Sequence, residues 1–163
     1  MTIYYEDLDV GWSVTYGSHT MEREAMISSA EQFDPQPMHV DPEAAAESIH
    51  GDVIASGVHT IGIATRLLVD GFPRKSANQA GLGIDDRRFH EAVYPGDTLA
   101  VRHEIVDERR SESHPDAGIV TREVQVFPTE SGTDGPERGT DTTGNEETVV
   151  ASWTVAILLA TRG

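Results

Sequence analysis

Apolar and polar residues are spaced differently in the two halves of the chain, with helical spacing early and strand spacing later. Ser13–Thr20 alternates loosely and predicts one early strand. A helix is predicted over about Arg23–Phe33, where apolar side chains recur on one helical face: Met26, Ile27, Ala30 and Phe33. Pro35 stops this helix, since the residue before a proline is pushed out of the α region. We expect a loop over Asp34–Val40.

Two further helices follow, and the second is predicted to be largely buried. Asp41 is a good N-cap and Pro42 suits the first helical position. These residues predict a short helix over roughly Pro42–His50, with Gly51 as its stop. The mostly apolar segment Val58–Val69 predicts the next helix. Its apolar and small residues form two adjacent stripes: Ile61, Ala64 and Leu68, with Gly62, Thr65 and Val69.

The second half of the chain predicts strands. Four segments alternate or are rich in β-branched residues: Gly81–Glu91, Thr98–Glu108, Gly118–Phe127 and Thr148–Leu159. Pro128–Glu147, rich in Gly, Thr, Glu and Asp, is expected to be a mobile acidic loop within the same domain. Helices followed by strands predict an α+β protein with an antiparallel sheet. A curved sheet wrapped around one buried helix, with a short helical overlay, is the outline of a hot-dog fold.

Length and composition favour one soluble domain. The 163 residues predict a single domain over 1–163 that buries a core without cross-links. The absence of cysteine excludes disulfides, thiolate metal sites and a cysteine nucleophile. No basic stretch precedes an apolar run near the N-terminus, and no apolar run approaches the roughly 20 residues of a spanning helix. We therefore expect a cytoplasmic protein without a membrane partner.

The strongly acidic charge disfavours nucleic acid as a partner. The chain has 28 acidic and 12 basic residues, a formal net charge of −16. Such a surface repels duplex DNA and anionic membranes. Lys75 is the single lysine, and an acidic, lysine-poor composition is typical of halophilic proteins, whose self-repulsion salt screens. A merely acidic protein is the alternative.

The densest group of chemically useful residues lies between the first two predicted helices. Asp34 and His39 are five positions apart in a segment stiffened by prolines, so their side chains can meet if the chain turns back. An imidazole titrates near neutrality, and a carboxylate can orient it or share a water with it, which suits general acid–base catalysis. From the residue types and spacing alone, a structural role for these residues is slightly favoured over catalysis. In that alternative, Asp34 only ends its helix and His39 is a surface residue. Capping explains Asp41 fully.

A second candidate element lies at Ser56 and Gly57, where the predicted buried helix begins. A helix N-terminus has unpaired N–H groups and a partial positive charge, and a glycine there lets a ligand oxygen come close. This arrangement would polarise a bound carbonyl and stabilise developing negative charge on it. Equally, Gly57 could serve only to relieve crowding at the entry to the helix.

The spacing of other polar residues favours neither a metal nor a phosphate site. Five side chains invite a metal site but match no compact ligand motif: Asp34, His39, Asp41, His50 and His59. Gly81 and Gly83 lack the third glycine and the following helix of a phosphate-binding loop. Ser56-Gly57 lacks the preceding glycine of a nucleophile elbow. We therefore expect no metal and no nucleotide cofactor.

Three blocks carry a resemblance to a known family: DPQPMHVDPEAA at 34–45, GDVIASGVHT at 51–60 and RFHEAVYPGDTL at 88–99. The first is similar to a hydratase motif in which an Asp and a His five apart flank an Asn-Pro. The second is similar to the segment that enters the central helix, and the third to a strand followed by a Pro-Gly-Asp turn. Together with 111–126 and 153–162, they make nearly the whole chain resemble the MaoC-like dehydratases and (R)-specific enoyl-CoA hydratases.

The resemblance implies a hot-dog-fold hydro-lyase that hydrates a trans-2-enoyl-CoA to a 3-hydroxyacyl-CoA, or catalyses the reverse. It implies that Asp34 and His39 jointly hold and activate the water. It assigns the backbone N–H of Gly57 to the thioester oxygen, and we add Ser56 and Gln36 as predicted substrate-binding residues. It also implies that no cofactor or metal is needed, and that the unit is a homodimer or higher homo-oligomer whose sheets join edge to edge.

One departure and two alternatives accompany the resemblance. Gln36 stands where the most active hydratases carry Asn, and the longer side chain shifts any hydrogen bond it makes. The alternatives are an acyl-CoA thioesterase, which would release free CoA, and a non-catalytic acyl-CoA-binding protein. A polyanionic CoA would need a cationic patch, for which five residues are candidates: Arg66, Arg74, Lys75, Arg87 and Arg88.

Overall fold

A five-stranded antiparallel sheet packed against one long helix organises the computed structural model, which describes residues 1–129 and 148–163. In chain order the elements are β1 (Ser13–Thr20), α1 (Arg23–Phe33), α2 (Pro37–Val40), α3 (Pro42–Glu47), α4 (Gly57–Gly71), β2 (Asn78–Phe89), β3 (Thr98–Arg110), β4 (Ala117–Pro128) and β5 (Ala151–Ala160). The strand order is β1-β3-β4-β5-β2, so β2 forms an edge. The predicted α+β class is confirmed. Most of the predicted mobile loop, Pro128–Glu147, lies outside the described residues.

The segment between α1 and α3 is more regular than the predicted loop. α1 has the predicted bounds, but Pro37–Val40 forms the short helix α2. Pro37 lies at its first position, where the missing N–H is not needed. Asp41 caps α3 as predicted, because its Oδ1 accepts hydrogen bonds from the N–H groups of Glu43 and Ala44 at 3.0 and 3.2 Å. This cap separates α2 from α3.

α3 is shorter than predicted. It ends at Glu47, not His50. The Ser48 hydroxyl donates to the carbonyl of Ala45 at 2.6 Å, and such side-chain bonds compete with continuation of a helix. Ser48 itself is extended, with ψ of 171°. The chain therefore leaves the helix early and turns towards the start of α4.

α4 covers the sheet with one face. It begins earlier than predicted because the Ser56 hydroxyl accepts from the N–H of Val58 at 3.2 Å and caps the helix. Its buried side chains form a single stripe: Thr60, Ala64 and Leu68. The second predicted stripe lies on the exposed side: Gly62, Thr65 and Val69. A helix lying on one sheet buries one face, so the prediction of a largely buried helix was wrong.

All five predicted strands are present, with differences at their ends. β1 has the predicted bounds, whereas β5 begins at Ala151 and not Thr148. β2 begins three residues earlier than predicted and ends at Phe89. Alternation reports which side chains share a face of a sheet, whereas strand ends depend on which backbone groups find partners. The ladder register, which the sequence does not show, sets these ends.

Two apolar clusters fill the layer between α4 and the sheet. The larger extends along α4 and includes Ala64 and Leu68. The smaller gathers around Phe72, the residue that follows α4. On β3 and β4, two polar residues lie between positions of the two clusters: His103 and Arg122, which are 0% and 5% exposed. A buried polar layer therefore divides the core.

Candidate active site

Asp34 and His39 meet where α1, α2 and the start of α4 converge. Asp34 is the C-cap of α1, and its N–H donates to the Ala30 carbonyl at 2.8 Å. His39 lies on α2 and is 4% exposed, so the alternative of a surface histidine is wrong. The Nε2 atom of His39 is 3.5 Å from Oδ2 of Asp34. The chain thus turns back between them as the pairing required.

A hydrogen bond to the backbone fixes the chemistry of His39. Its Nδ1 lies 2.8 Å from the carbonyl oxygen of Ile54. Because a carbonyl can only accept, Nδ1 carries the hydrogen. In the neutral ring Nε2 then holds a lone pair directed towards Asp34. A water between the two side chains could donate one hydrogen to each of them.

The Asp34 carboxylate is held by two donors. Gln36 Nε2 donates to Oδ1 at 2.7 Å, and the Ser56 hydroxyl donates to Oδ2 at 2.7 Å. These bonds, with a smaller contribution from nearby His39, lower the pKa of Asp34 below its ordinary value, since each favours the charged form. Its side chain remains 23% exposed, so solvent and ligands reach it. Asp34 is therefore an ionised acceptor at neutral pH.

Ser56 links the Asp34 carboxylate to α4. Its hydroxyl donates to Asp34 and accepts from the N–H of Val58, which begins the helix. Ser56 is fully buried, at 0% exposure, and it does not line the adjoining pocket. Direct substrate binding, predicted for Ser56, does not fit this burial. Its two hydrogen bonds position Asp34 relative to the helix N-terminus.

Gly57 faces both the pocket and an aromatic ring. It is the first residue of α4, where backbone N–H groups lack helical partners. A Cβ added at Gly57 would clash with Cζ of Phe89, so the ring packs directly on the glycine. Both interpretations of Gly57 from the sequence therefore have a structural basis. Crowding by Phe89 requires glycine here, and the pocket also reaches it.

A pocket of about 580 Å³ adjoins these residues. Four of the five predicted site residues line it: Asp34, Gln36, His39 and Gly57. Other lining residues were assigned no role from the sequence: His50, Thr60, Phe89 and Tyr94. A pocket of this size holds a small organic ligand, with Asp34 and His39 in contact with it.

The missed residues come from two regions whose sequence signals are weak. Phe89 ends β2, where the pairing with β5 shifts register between Asp85 and Arg88 and Asp86 has a φ of 51°. Such a bulge changes the direction of the following side chains, and alternation alone could not locate it. Tyr94 precedes the Pro-Gly-Asp turn and donates its hydroxyl to the His50 carbonyl at 3.0 Å. That turn was the signal available for Tyr94.

The arginines predicted to form a cationic patch lie in two separate places. Arg66 and Arg74 both pair with Asp70, at 2.8 and 2.9 Å, towards the C-terminal end of α4. Arg66 is nine residues along α4 from Gly57, about 14 Å at 1.5 Å per residue. Arg87 and Arg88 lie instead on β2, next to the pocket residue Phe89. The second pair is therefore the better placed to meet an anionic ligand at the pocket.

Within residues 1–129 and 148–163, no three His, Cys, Asp or Glu side chains converge in a way that could hold a metal ion. Over the same residues, no helix is both long and apolar enough to cross a bilayer.

Comparison with known sequences gives a family match. The family described as MaoC like domain matches residues 13–126. The uncharacterised protein YdeM of Bacillus subtilis is 29% identical over 130 residues, which are 75% of this chain and 91% of that protein. The match to the family covers every residue of the Asp34 and His39 site.

Solved structures with the same fold include enzymes named as hydratases or dehydratases. A MaoC-like dehydratase from Rhodospirillum rubrum is 32% identical, with a TM-score of 0.80 and 99% of each chain covered. The R-hydratase PhaJ1 from Pseudomonas aeruginosa is 20% identical, with a TM-score of 0.71, covering 98% of this chain and 87% of that one. The hot-dog architecture predicted from the sequence is confirmed by these similarities.

Proposed function

The chain belongs to the MaoC-like domain family, and on that basis we propose that it is a hydro-lyase that adds water to an enoyl-CoA thioester, or removes it from a 3-hydroxyacyl-CoA. The likeness to hydratases and dehydratases supports this reaction class in general. The observation that carries the proposal is the pairing of Asp34 and His39, 3.5 Å apart, at the edge of a pocket. The acyl substrate, and CoA as its thiol carrier, are also part of this proposal.

The nucleophilic water lies between Asp34 and His39. The ionised Asp34 accepts one of its hydrogen atoms, and the Nε2 lone pair of His39 accepts the other. The hydrogen bonds that lower the pKa of Asp34 make it a poor proton acceptor, so His39 is the general base. The resulting imidazolium faces the Asp34 carboxylate, which stabilises it.

The proposed hydration needs no proton or electron beyond those of the water, the enoyl thioester, Asp34 and His39. The water oxygen forms a bond to C3 of the enoyl group, and the C2–C3 π electrons move onto C2 and the thioester carbonyl. His39 takes one proton from the water and then returns it to C2. The product is the 3-hydroxyacyl thioester, and the side chains return to their starting states. Dehydration follows the same steps in reverse.

Gly57 supplies the backbone N–H that binds the thioester oxygen. Its position at the start of α4 adds the positive end of the helix dipole where enolate-like charge develops. In this structure the Phe89 ring packs on Gly57, so the ring moves when the carbonyl oxygen reaches the N–H. Phe89 is 53% exposed and has room to do so.

Ser56 and Gln36 act through Asp34 in this proposal. Each donates a 2.7 Å hydrogen bond to a different carboxylate oxygen. They keep Asp34 ionised and fix its direction towards the water site. Gln36 also lines the pocket and can contact the acyl group or the thioester, whereas the buried Ser56 is a positioning residue.

The deciding experiment is hydration of crotonyl-CoA, followed by loss of the conjugated-thioester absorbance, with free-thiol detection in parallel and high salt present. We expect the absorbance to fall without release of thiol. Thiol release at the same rate would contradict the proposal and identify a thioesterase. If neither signal changes across a series of enoyl-CoA chain lengths, while acyl-CoA still raises the Tm, the protein is a non-catalytic binder.

We also propose that two copies associate through the edge strand β2. This strand pairs with β5 on one side, and it carries three apolar side chains that are half exposed: Leu82, Ile84 and Phe89. An uncovered apolar edge is a site for pairing with another strand. Since Phe89 also lines the pocket, a partner at this edge would complete the pocket wall.

The dimer is tested by the molar mass in solution. The chain should elute as a dimer, and Ile84→Lys should yield monomers with reduced activity. An Arg109→Glu variant, on the remote end of β3, provides a charge-changing control. A monomeric, fully active unmodified protein would contradict the proposal.

A further inference from the structure

His103 and Arg122 form a buried polar cluster that the proposed reaction does not use. They lie on β3 and β4, at diagonal positions of the ladder in which Ile105 pairs with Arg122. Neither residue lines the pocket that holds Asp34 and His39. Both contact the Phe72 ring, with the His103 centroid 5.0 Å from its centroid and the Arg122 Cζ 5.2 Å from it. The two side chains therefore share one site beyond the C-terminal end of α4.

Aromatic rings surround the His103 imidazole. The Tyr16 ring stacks on it at 5.4 Å, with 19° between the planes, and the Trp12 ring meets it edge-on at 5.4 Å. His103 is 0% exposed. Within the described part of the chain, neither ring nitrogen has a hydrogen-bond partner. One of these nitrogens always carries a hydrogen, so the cluster contains at least one donor from His103.

Arg122 is a buried cation that makes no ion pair with a carboxylate in the described part of the chain. Its Nε and Nη1 are buried and have no hydrogen-bond partner among residues 1–129 and 148–163. Its attraction to the Phe72 ring only partly compensates for the cost of burying an ion that has no charged partner.

The charges of the cluster sum to one positive charge at neutral pH. Burial lowers the pKa of His103 to about 3, so the imidazole is neutral. Burial also lowers the pKa of Arg122, to about 10, which still leaves the guanidinium charged. Tyr16 keeps its hydroxyl proton, since burial raises its pKa to about 12. The polar groups that face one another are thus one cation and two neutral donors.

We propose that a small inorganic anion, with chloride as the expected ion, binds between Arg122 and His103. The guanidinium N–H groups, one imidazole N–H and the Tyr16 hydroxyl can all donate to it. A water molecule could accept the same hydrogen bonds but would leave the charge of Arg122 unbalanced. Tyr16 is partly exposed and gives the ion a route from solvent.

Thermal unfolding in two sodium salts tests the proposal. The Tm is measured at equal ionic strength in sodium chloride and in sodium gluconate, whose large anion cannot enter the cluster. If chloride is tenfold above its Kd, we expect a Tm higher in chloride by roughly 3–6 °C for a domain of this size. Arg122→Met should abolish this difference. Arg66→Met, which removes a surface arginine paired with Asp70, should retain it.

A second measurement is independent of any variant. Crystals grown in sodium bromide should show an anomalous scattering peak next to Arg122, with bromide replacing chloride. Absence of that peak, with equal Tm values in the two salts, would overturn the proposal and leave water as the partner of these nitrogens. If Arg122→Met does not fold, the bromide peak and the salt comparison on the unmodified protein still decide the question.

Discussion

Two buried histidines, at opposite ends of α4, have opposite surroundings. His39 is 4% exposed, donates from Nδ1 to the Ile54 carbonyl and faces Asp34 with Nε2. His103 is 0% exposed, and neither of its nitrogens has a partner among the described residues. His39 borders a pocket, while His103 is enclosed by aromatic rings. The two histidines are therefore buried to a similar extent, but they differ in their hydrogen bonds and in their access to a pocket.

This difference separates a side chain that can exchange protons from one that cannot. The backbone bond holds His39 in one tautomer and leaves the other nitrogen directed at a carboxylate and a pocket. Among residues 1–129 and 148–163, His103 has no hydrogen-bond partner to give it a proton, and burial disfavours its charged form. We therefore assign the catalytic role to His39, because one of its nitrogens bonds to the backbone and the other faces Asp34.

Replacing His39 and replacing His103 should give the largest difference in activity. His39→Gln should lower kcat for crotonyl-CoA by about 10²–10⁴-fold, since loss of a general base costs that much. Asp34→Asn should have a similar effect, because the amide has one acceptor oxygen in place of two and no charge to stabilise the imidazolium. His103→Phe should retain most of the activity. The control His114→Gln changes a histidine in the turn between β3 and β4. Retained activity in His39→Gln would refute the assignment of the base.

The pH dependence of stability should be carried by His103. Its pKa is about 3 in the folded state and 6.5 ordinarily, so the unfolded chain binds more protons between these values. Stability is therefore full above pH 6.5 and falls as the pH decreases, by up to about 1.4 kcal/mol per unit. The groups that face it, Arg122 and Tyr16, do not titrate in this range.

Urea unfolding at pH 7.5 and pH 5 measures this effect. The unmodified protein should lose about 2 kcal/mol more than His103→Phe over this interval, because the unfolded state of the variant has no proton to gain at residue 103. His114→Gln again provides the control. Equal losses in the unmodified protein and His103→Phe would mean that the imidazole is protonated in the fold.

Ser56→Ala should weaken catalysis while leaving the catalytic pair in place. The hydroxyl donates to Asp34 and caps α4. Without it the pKa of Asp34 rises, because the carboxylate loses one of the two donors that favour its charged form. We expect kcat to fall about tenfold, the effect of losing a bond of roughly 1.4 kcal/mol to a charged group. Ser48→Ala, at the end of α3, is the control, and an unchanged kcat in Ser56→Ala would exclude the positioning role.

The catalytic end of the molecule was more predictable than the opposite end. Local signals in one short stretch, with prolines and a capping Asp41, indicated where Asp34 and His39 lie. The helices α1, α3 and α4 and the five β-strands also followed from local signals, although several of their ends did not. The tautomer of His39 was not predictable, because its partner at Ile54 is 15 residues away and is reached only after α3 and its turn.

The cluster of His103 and Arg122 depends entirely on long-range packing. In the sequence, alternation places His103 in phase with Val101 and Ile105, and Arg122 in phase with Val120 and Val124, but it does not show that the two polar residues meet. Their burial follows from the ladder register between β3 and β4 and from the position of Phe72 after α4. Phe89 was missed for a similar reason, since a bulge sets its direction.

Phe89→Leu should have the smallest effect and can resolve the two roles of Gly57. The ring packs on the glycine, and a smaller side chain lessens what the substrate must displace. We expect KM to fall by less than about fivefold at an unchanged kcat, within the 1 kcal/mol or so of a modest packing change. Gly57→Ala is then compared in the unmodified protein and in the Phe89→Leu background. If glycine is needed only to accommodate the ring, Gly57→Ala becomes harmless once the ring is replaced by the smaller side chain. If the thioester oxygen must approach the N–H, the loss of activity persists in both, which is the outcome that our mechanism requires.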